Sequence, residues 1–124
     1  MNRLRFQSGK EIEVDVAISP EQHQRGLMNQ INPRPMVFLF PSSEKRAFWM
    51  KDTPVSLMIC FANRDNIFQV SRGEAFDEGQ IISHGRSDMV IEIPEGQYFP
   101  REGQSVKLVL SMETLETYLD IIIS

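Results

Sequence analysis

Apolar positions fall along this chain in short clusters rather than long stripes. Residues 4–6, 36–40, 47–50, 55–62, 67–70, 89–93 and 106–110 carry them, and seven Pro and seven Gly punctuate the intervals. Short apolar clusters separated by turn formers predict strands rather than a helical bundle. In residues 12–16, Ile12, Val14 and Val16 alternate with Glu13 and Asp15, which predicts one strand with a wet face. Ser8-Gly9, between that run and residues 4–6, predicts an opening hairpin. Asn63-Arg64-Asp65-Asn66 predicts a second turn, joining residues 57–62 to residues 67–70. Residues 41–46 read as an exposed loop, and residues 71–88 are the least patterned stretch, with Ile81-Ile82 as their apolar anchor.

One helix start stands out. Ser19 can cap, Pro20 suits the first helical position, and Gln22 completes a capping box, with Gly26 or Asn29 available to close the helix. The pattern therefore predicts one mainly β single domain with one short helix over residues 1–110. Residues 111–124 form a distinct acidic extension. There Ser111 can cap a second short helix that puts Met112, Leu115 and Leu119 on one side. Ile121, Ile122 and Ile123 then offer a β-prone edge for self-association.

Composition narrows the class. The chain has 124 residues, one domain's worth, and a formal net charge of −4, which argues against broad nucleic-acid binding. Three of those four negative charges sit in the extension, at Glu113, Glu116 and Asp120, leaving the body nearly neutral. A single cysteine, Cys60, excludes an internal disulfide, and its apolar neighbours predict a buried, inert thiol. Two arginines near the start precede no apolar run, and no cluster could span a bilayer. The expected compartment is therefore the cytoplasm, or the host cytoplasm or virion for a phage-encoded protein.

Few residues announce chemistry. His23 and His84 are not at metal-ligand spacing, so no metal and no cofactor are expected. His23 is expected on the wet side of the short helix and His84 in an exposed loop. The unusual segment is Phe48-Trp49-Met50-Lys51-Asp52-Thr53-Pro54, which sets the only Trp beside a cation, an anion and a hydroxyl. Two readings stand: a core Trp followed by a satisfied turn, or an aromatic wall with a polar rim, the make-up of a small-molecule pocket.

These stretches also carry a resemblance. Gln24-Arg25-Gly26-Leu27-Met28, then Met36-Val37-Phe38-Leu39-Phe40, then Phe48-Trp49-Met50-Lys51-Asp52-Thr53 resemble the domain of unknown function 192 family. Val90-Ile91-Glu92-Ile93-Pro94-Glu95-Gly96 and Glu102-Gly103-Gln104-Ser105-Val106 are similar to its later motifs, in the expected order over residues 11–110. The resemblance implies a compact, mostly antiparallel, barrel-like β domain of bacteria, archaea and some phages, without an established activity. Many cellular members carry an export leader, and none is visible here. Two positions depart from the pattern: Asp52 stands where the family has Asn, and Met58 where it has an acid.

Together these readings nominate Arg25, Trp49, Lys51, Asp52, Thr53 and Glu92 as a candidate polar site at one end of the domain. The charged ones could instead satisfy one another as a structural ion-pair cluster. The expected function is a non-catalytic binding or accessory domain for a small polar ligand or a protein partner, without nucleic acid or membrane. Two alternatives are a structural component, for instance of a virion, assembling through the extension, and a small hydrolase using a carboxylate or His84 as base.

Overall fold

In the computed structural model, which describes residues 1–123, the opening hairpin forms where Ser8-Gly9 predicts it. β1 (Arg3–Phe6) pairs antiparallel with β2 (Glu11–Glu13), and Phe6 N–H donates to the Lys10 carbonyl at 2.8 Å. The alternation of residues 12–16 does not make one strand. The chain turns inward at Val14, which is 2% exposed, and continues as β3 (Asp15–Ala17) in a different sheet. Val14 is core on both sides of the crossing, so apolar alternation survives although the hydrogen-bond partner changes.

α1 (Pro20–Arg25) follows, and its capping box is complete. Ser19 Oγ accepts from Gln22 N–H at 3.2 Å, and Gln22 Oε1 accepts from the Ser19 and Ile18 N–H groups at 3.0 and 2.8 Å. Gly26 closes the helix at φ +49°, where its N–H donates to the Gln22 carbonyl.

β4 (Met36–Glu44) runs on through the residues expected to be a loop. A register shift between Leu39 and Glu44 against β9 (Ser87–Pro94) lets Pro41 sit on an irregularity, where a strand tolerates the lost donor. β5 (Ala47–Phe48) pairs with β8 (Ile81–Ile82), while β6 (Leu57–Asn63) and β7 (Asn66–Gly73) form the second predicted hairpin. β10 (Val106–Val109) returns to β1. α2 (Met112–Ile123) ends the described chain, so Ile121, Ile122 and Ile123 are helical rather than a β edge. Ser111 does cap it: Thr114 N–H donates to Ser111 Oγ at 3.2 Å.

The strands make three sheets, ordered β10-β1-β2, β3-β4-β9-β6-β7 and β5-β8. All pairings are antiparallel except β3 with β4. Barrel-like holds only loosely, because the sheets do not close and the central one keeps β3 and β7 as its edges. That central sheet is apolar on both faces. Val37, Cys60, Ile91 and Ile93 pack on Leu4, Phe6 and Val106 of the three-stranded sheet. Phe38, Ile59, Phe61 and Val90 point the other way, under Leu27, Met50 and Phe48. Gly73 makes that second layer possible, since a Cβ there would lie 2.6 Å from Met50 Sδ. Two apolar faces explain why β6, and β9 around Glu92, read as apolar runs rather than as alternating patterns.

Candidate functional site

The second apolar face is not fully covered. Between it and α1 lies a cavity of about 510 Å³. β4 contributes Phe38 and Phe40, β9 contributes Glu92, α1 and its exit contribute His23, Arg25 and Gly26, and the chain through β5 contributes Lys45, Arg46, Phe48 and Trp49. Volumes of roughly 300–1,000 Å³ with mostly apolar walls and a few polar groups are usual for small-molecule sites.

Glu92 sets the chemistry of this cavity. It stands between Met36 of β4 and Ile59 of β6 in the ladders, and is 4% exposed. Among the described residues no donor hydrogen-bonds its carboxyl and no cation comes within ion-pair distance. Burial alone pushes its pKa up to about 8, so the neutral acid predominates at pH 7. Gly26 borders the carboxyl: a Cβ there would make ordinary contact with Glu92 Oε1 at 3.7 Å and Phe38 Cζ at 3.4 Å. An L side chain would still be strained at that positive φ.

The walls are aromatic. The His23 ring packs against Phe40 with centroids 4.5 Å apart, and Phe38 meets Phe48 edge-on at 5.1 Å. His23 Nε2 donates to the Ala17 carbonyl at 3.1 Å, and burial pulls the imidazole pKa below its ordinary value. Arg46 lies over Phe40, its Cζ 3.7 Å from the ring centroid, and its Nε donates to the Ser87 carbonyl at 3.0 Å. Desolvation lowers the Arg46 pKa, only partly offset by Glu44 at 3.8 Å and by Asp88. Arg25 and Lys45 stand exposed on the lining, and no ion pair joins either to a described residue.

The nominated residues divide. Arg25, Trp49, Thr53 and Glu92 line this cavity, whereas Lys51 and Asp52 line an adjoining depression that Arg25 and Trp49 also border. No ion pair links Arg25, Lys51, Asp52 and Glu92, so the structural-cluster reading has no support in the geometry. Trp49 is 43% exposed with Lys51 Nζ 5.2 Å from its ring centroid, so it is a wall and not a core residue; Met50 fills the core instead. Thr53 is buried, and its hydroxyl donates to the Lys51 carbonyl at 3.2 Å. Asp52 holds the turn at φ +55°, and its carbonyl accepts from Asn29 N–H at 2.7 Å, tying the turn to the exit of α1.

The sequence reasoning missed His23, Lys45 and Arg46. His23 is half-buried against the cavity rather than on the wet side of α1. Its signal was present: Pro20, His23 and Gln24 follow one face of α1, and all three line the cavity. His84 is exposed and does not line the cavity.

The model of the domain of unknown function 192 family, described as "Uncharacterized ACR", matches residues 3–108. The chain belongs to this family. The family match spans β1 to β9, α1 and all but the last residue of β10, and so contains the whole cavity lining. Two solved structures share the fold. One, from Sinorhizobium meliloti and described as a candidate transcription regulator, is 25% identical with a TM-score of 0.76, over 86% of this chain and 90% of that one. The other, a protein of unknown function from Novosphingobium aromaticivorans, is 23% identical with the same TM-score, over 86% and 82%. No curated protein matches the chain. None of the described helices is long and apolar enough to cross a membrane.

Proposed function

We propose that this family member is a non-catalytic binding domain whose cavity, between α1 and the central sheet, takes a small organic ligand. One observation carries the reading: the Glu92 carboxyl, on a residue only 4% exposed, opens onto the cavity, and no described residue hydrogen-bonds it. A buried polar group normally finds a partner, and leaving it without one costs about 1–3 kcal/mol. A ligand atom would complete the set, which is the reason to read the cavity as a site rather than a packing fault. Arg25, Trp49 and Thr53 belong to the same lining, and Lys51 and Asp52 extend it across the neighbouring depression. If the chain regulates, as the Sinorhizobium relative's description suggests of that protein, the ligand is a signal rather than a substrate.

A chemical-shift screen tests this. The ¹⁵N-labelled chain is titrated with a library of small organic acids, amides and amines. Ligands are expected to shift the Trp49 indole and the Gly26 amide together. A library that leaves both unmoved, or that shifts only distant surfaces, contradicts the proposal.

A further inference from the structure

We infer that the ligand is an amphiphilic organic acid, with an apolar ring body on Phe38, Phe40 and Phe48, its anionic head on Arg25 and Lys45, and an acceptor oxygen facing the Glu92 carboxyl. The inference rests on the binding reading above and adds the ligand's chemistry to it.

Charge argues for the anion. Lys45, Arg46 and Arg25 line the cavity, and Glu92 is its one acid among the described residues. Arg46 is already engaged by Phe40, Glu44 and the Ser87 carbonyl, so Arg25 and Lys45 are the cations left for a ligand. Both are exposed whereas Glu92 is deep, which sets the two ends of the ligand apart. The aromatic surfaces between them suit a flat apolar body. A cationic ligand would meet three positive side chains before reaching one carboxyl.

The inner end follows from what surrounds Glu92. β4 and β6 present Met36 and Ile59 beside it, with the Cys60 thiol on the neighbouring β6 position; α1 brings His23 and Arg25, and the chain into β5 brings Lys45 and Arg46. Burial holds the thiol protonated and His23 neutral near pH 7, so neither exchanges a proton with Glu92 there. A neutral carboxyl in such surroundings donates its O–H, and the partner it selects is an acceptor. Affinity should therefore weaken as pH rises through about 8, where the carboxylate forms.

Three matched probes decide the matter: 6-methoxy-2-naphthoate, its carboxamide and the corresponding methylamine, each titrated at pH 6.5 and pH 9.0 by calorimetry and shift mapping. The acid is expected to bind at the Trp49 and Gly26 resonances about 10-fold more tightly than the amide, the scale of one or two charge-assisted contacts. Arg25→Gln and Lys45→Gln should each weaken the acid about 3- to 10-fold and leave the amide unchanged. Raising the pH should weaken the wild-type complex and leave that of Glu92→Gln flat. An amine or amide that binds at those resonances as tightly as the acid overturns the inference while the binding reading stands. If none of the three moves them, the inference falls, and the binding reading falls with it only when the wider library is also silent.

Discussion

Burying a carboxyl without a hydrogen bond disfavours its charged form, and Glu92 bears that penalty in the middle of β9. Its pKa is raised from 4.5 to about 8. The folded state therefore holds a proton that the unfolded chain gives up between those values, and stability falls as pH rises through that window. At about 1.36 kcal/mol per unit, the loss across the whole window is on the order of 5 kcal/mol. Urea unfolding at pH 5 and pH 8.5 should show this loss in the wild type and not in Glu92→Gln. A wild type and variant with parallel pH profiles would contradict it. Asp52 is a second residue-scale case. Its φ of +55° is tolerated by Asn and Asp and resisted by β-branched side chains. Asp52→Asn, which restores the family's residue, should leave the melting temperature within error, whereas Asp52→Val should cost about 1–2 kcal/mol.

The elements differ in how far local sequence decides them. α1 has six residues, too short to persist on propensity alone, and its capping box supplies most of its local definition. Ser19→Ala should destabilise the domain by about 1 kcal/mol and raise amide exchange in α1 before that in β9. That helix was legible because Ser19, Pro20 and Gln22 act within one turn. The hairpins at Ser8-Gly9 and at residues 63–66 were legible for the same reason. The crossing at Val14 was not, since the change of sheet depends on which strand waits on the far side. Residues 41–44 misled for a related reason: Pro41 and the serines read as a loop, yet pairing with β9 holds them extended. In α2, three consecutive Ile read as a β edge, but the cap at Ser111 and the Asn2 contacts to Ser111 and Thr114 favour a helix. No α2 residue is fully buried. Removing residues 112–124 should leave the three sheets folded at a cost of about 1–2 kcal/mol by urea titration; global unfolding of the truncated chain would show that α2 is integral.

At the scale of the whole molecule, the central sheet organises everything else, because both of its faces are apolar. The three-stranded sheet packs over one face. The other is covered in pieces, by α1, Leu27, Met50 and the β5-β8 pair, and the cavity lies where those pieces fail to meet. The family and the mainly β class were readable from short motifs in order. The cavity was only half readable, since Arg25, Trp49, Thr53 and Glu92 announce themselves, while Lys45, Arg46 and the aromatic walls acquire meaning from the covering layer. The ion-pair cluster imagined among the charged residues failed because Glu92 lies deep and the cations stay at the mouth.

The most direct test of this account is a titration of the Glu92 side-chain carboxyl by ¹³C NMR in the unliganded protein. Burial as the one perturbation of this carboxyl predicts a midpoint near 8. A midpoint near the ordinary 4.5 would mean that the carboxyl is solvated or partnered, and the case for a ligand-completing acid at the cavity would be lost.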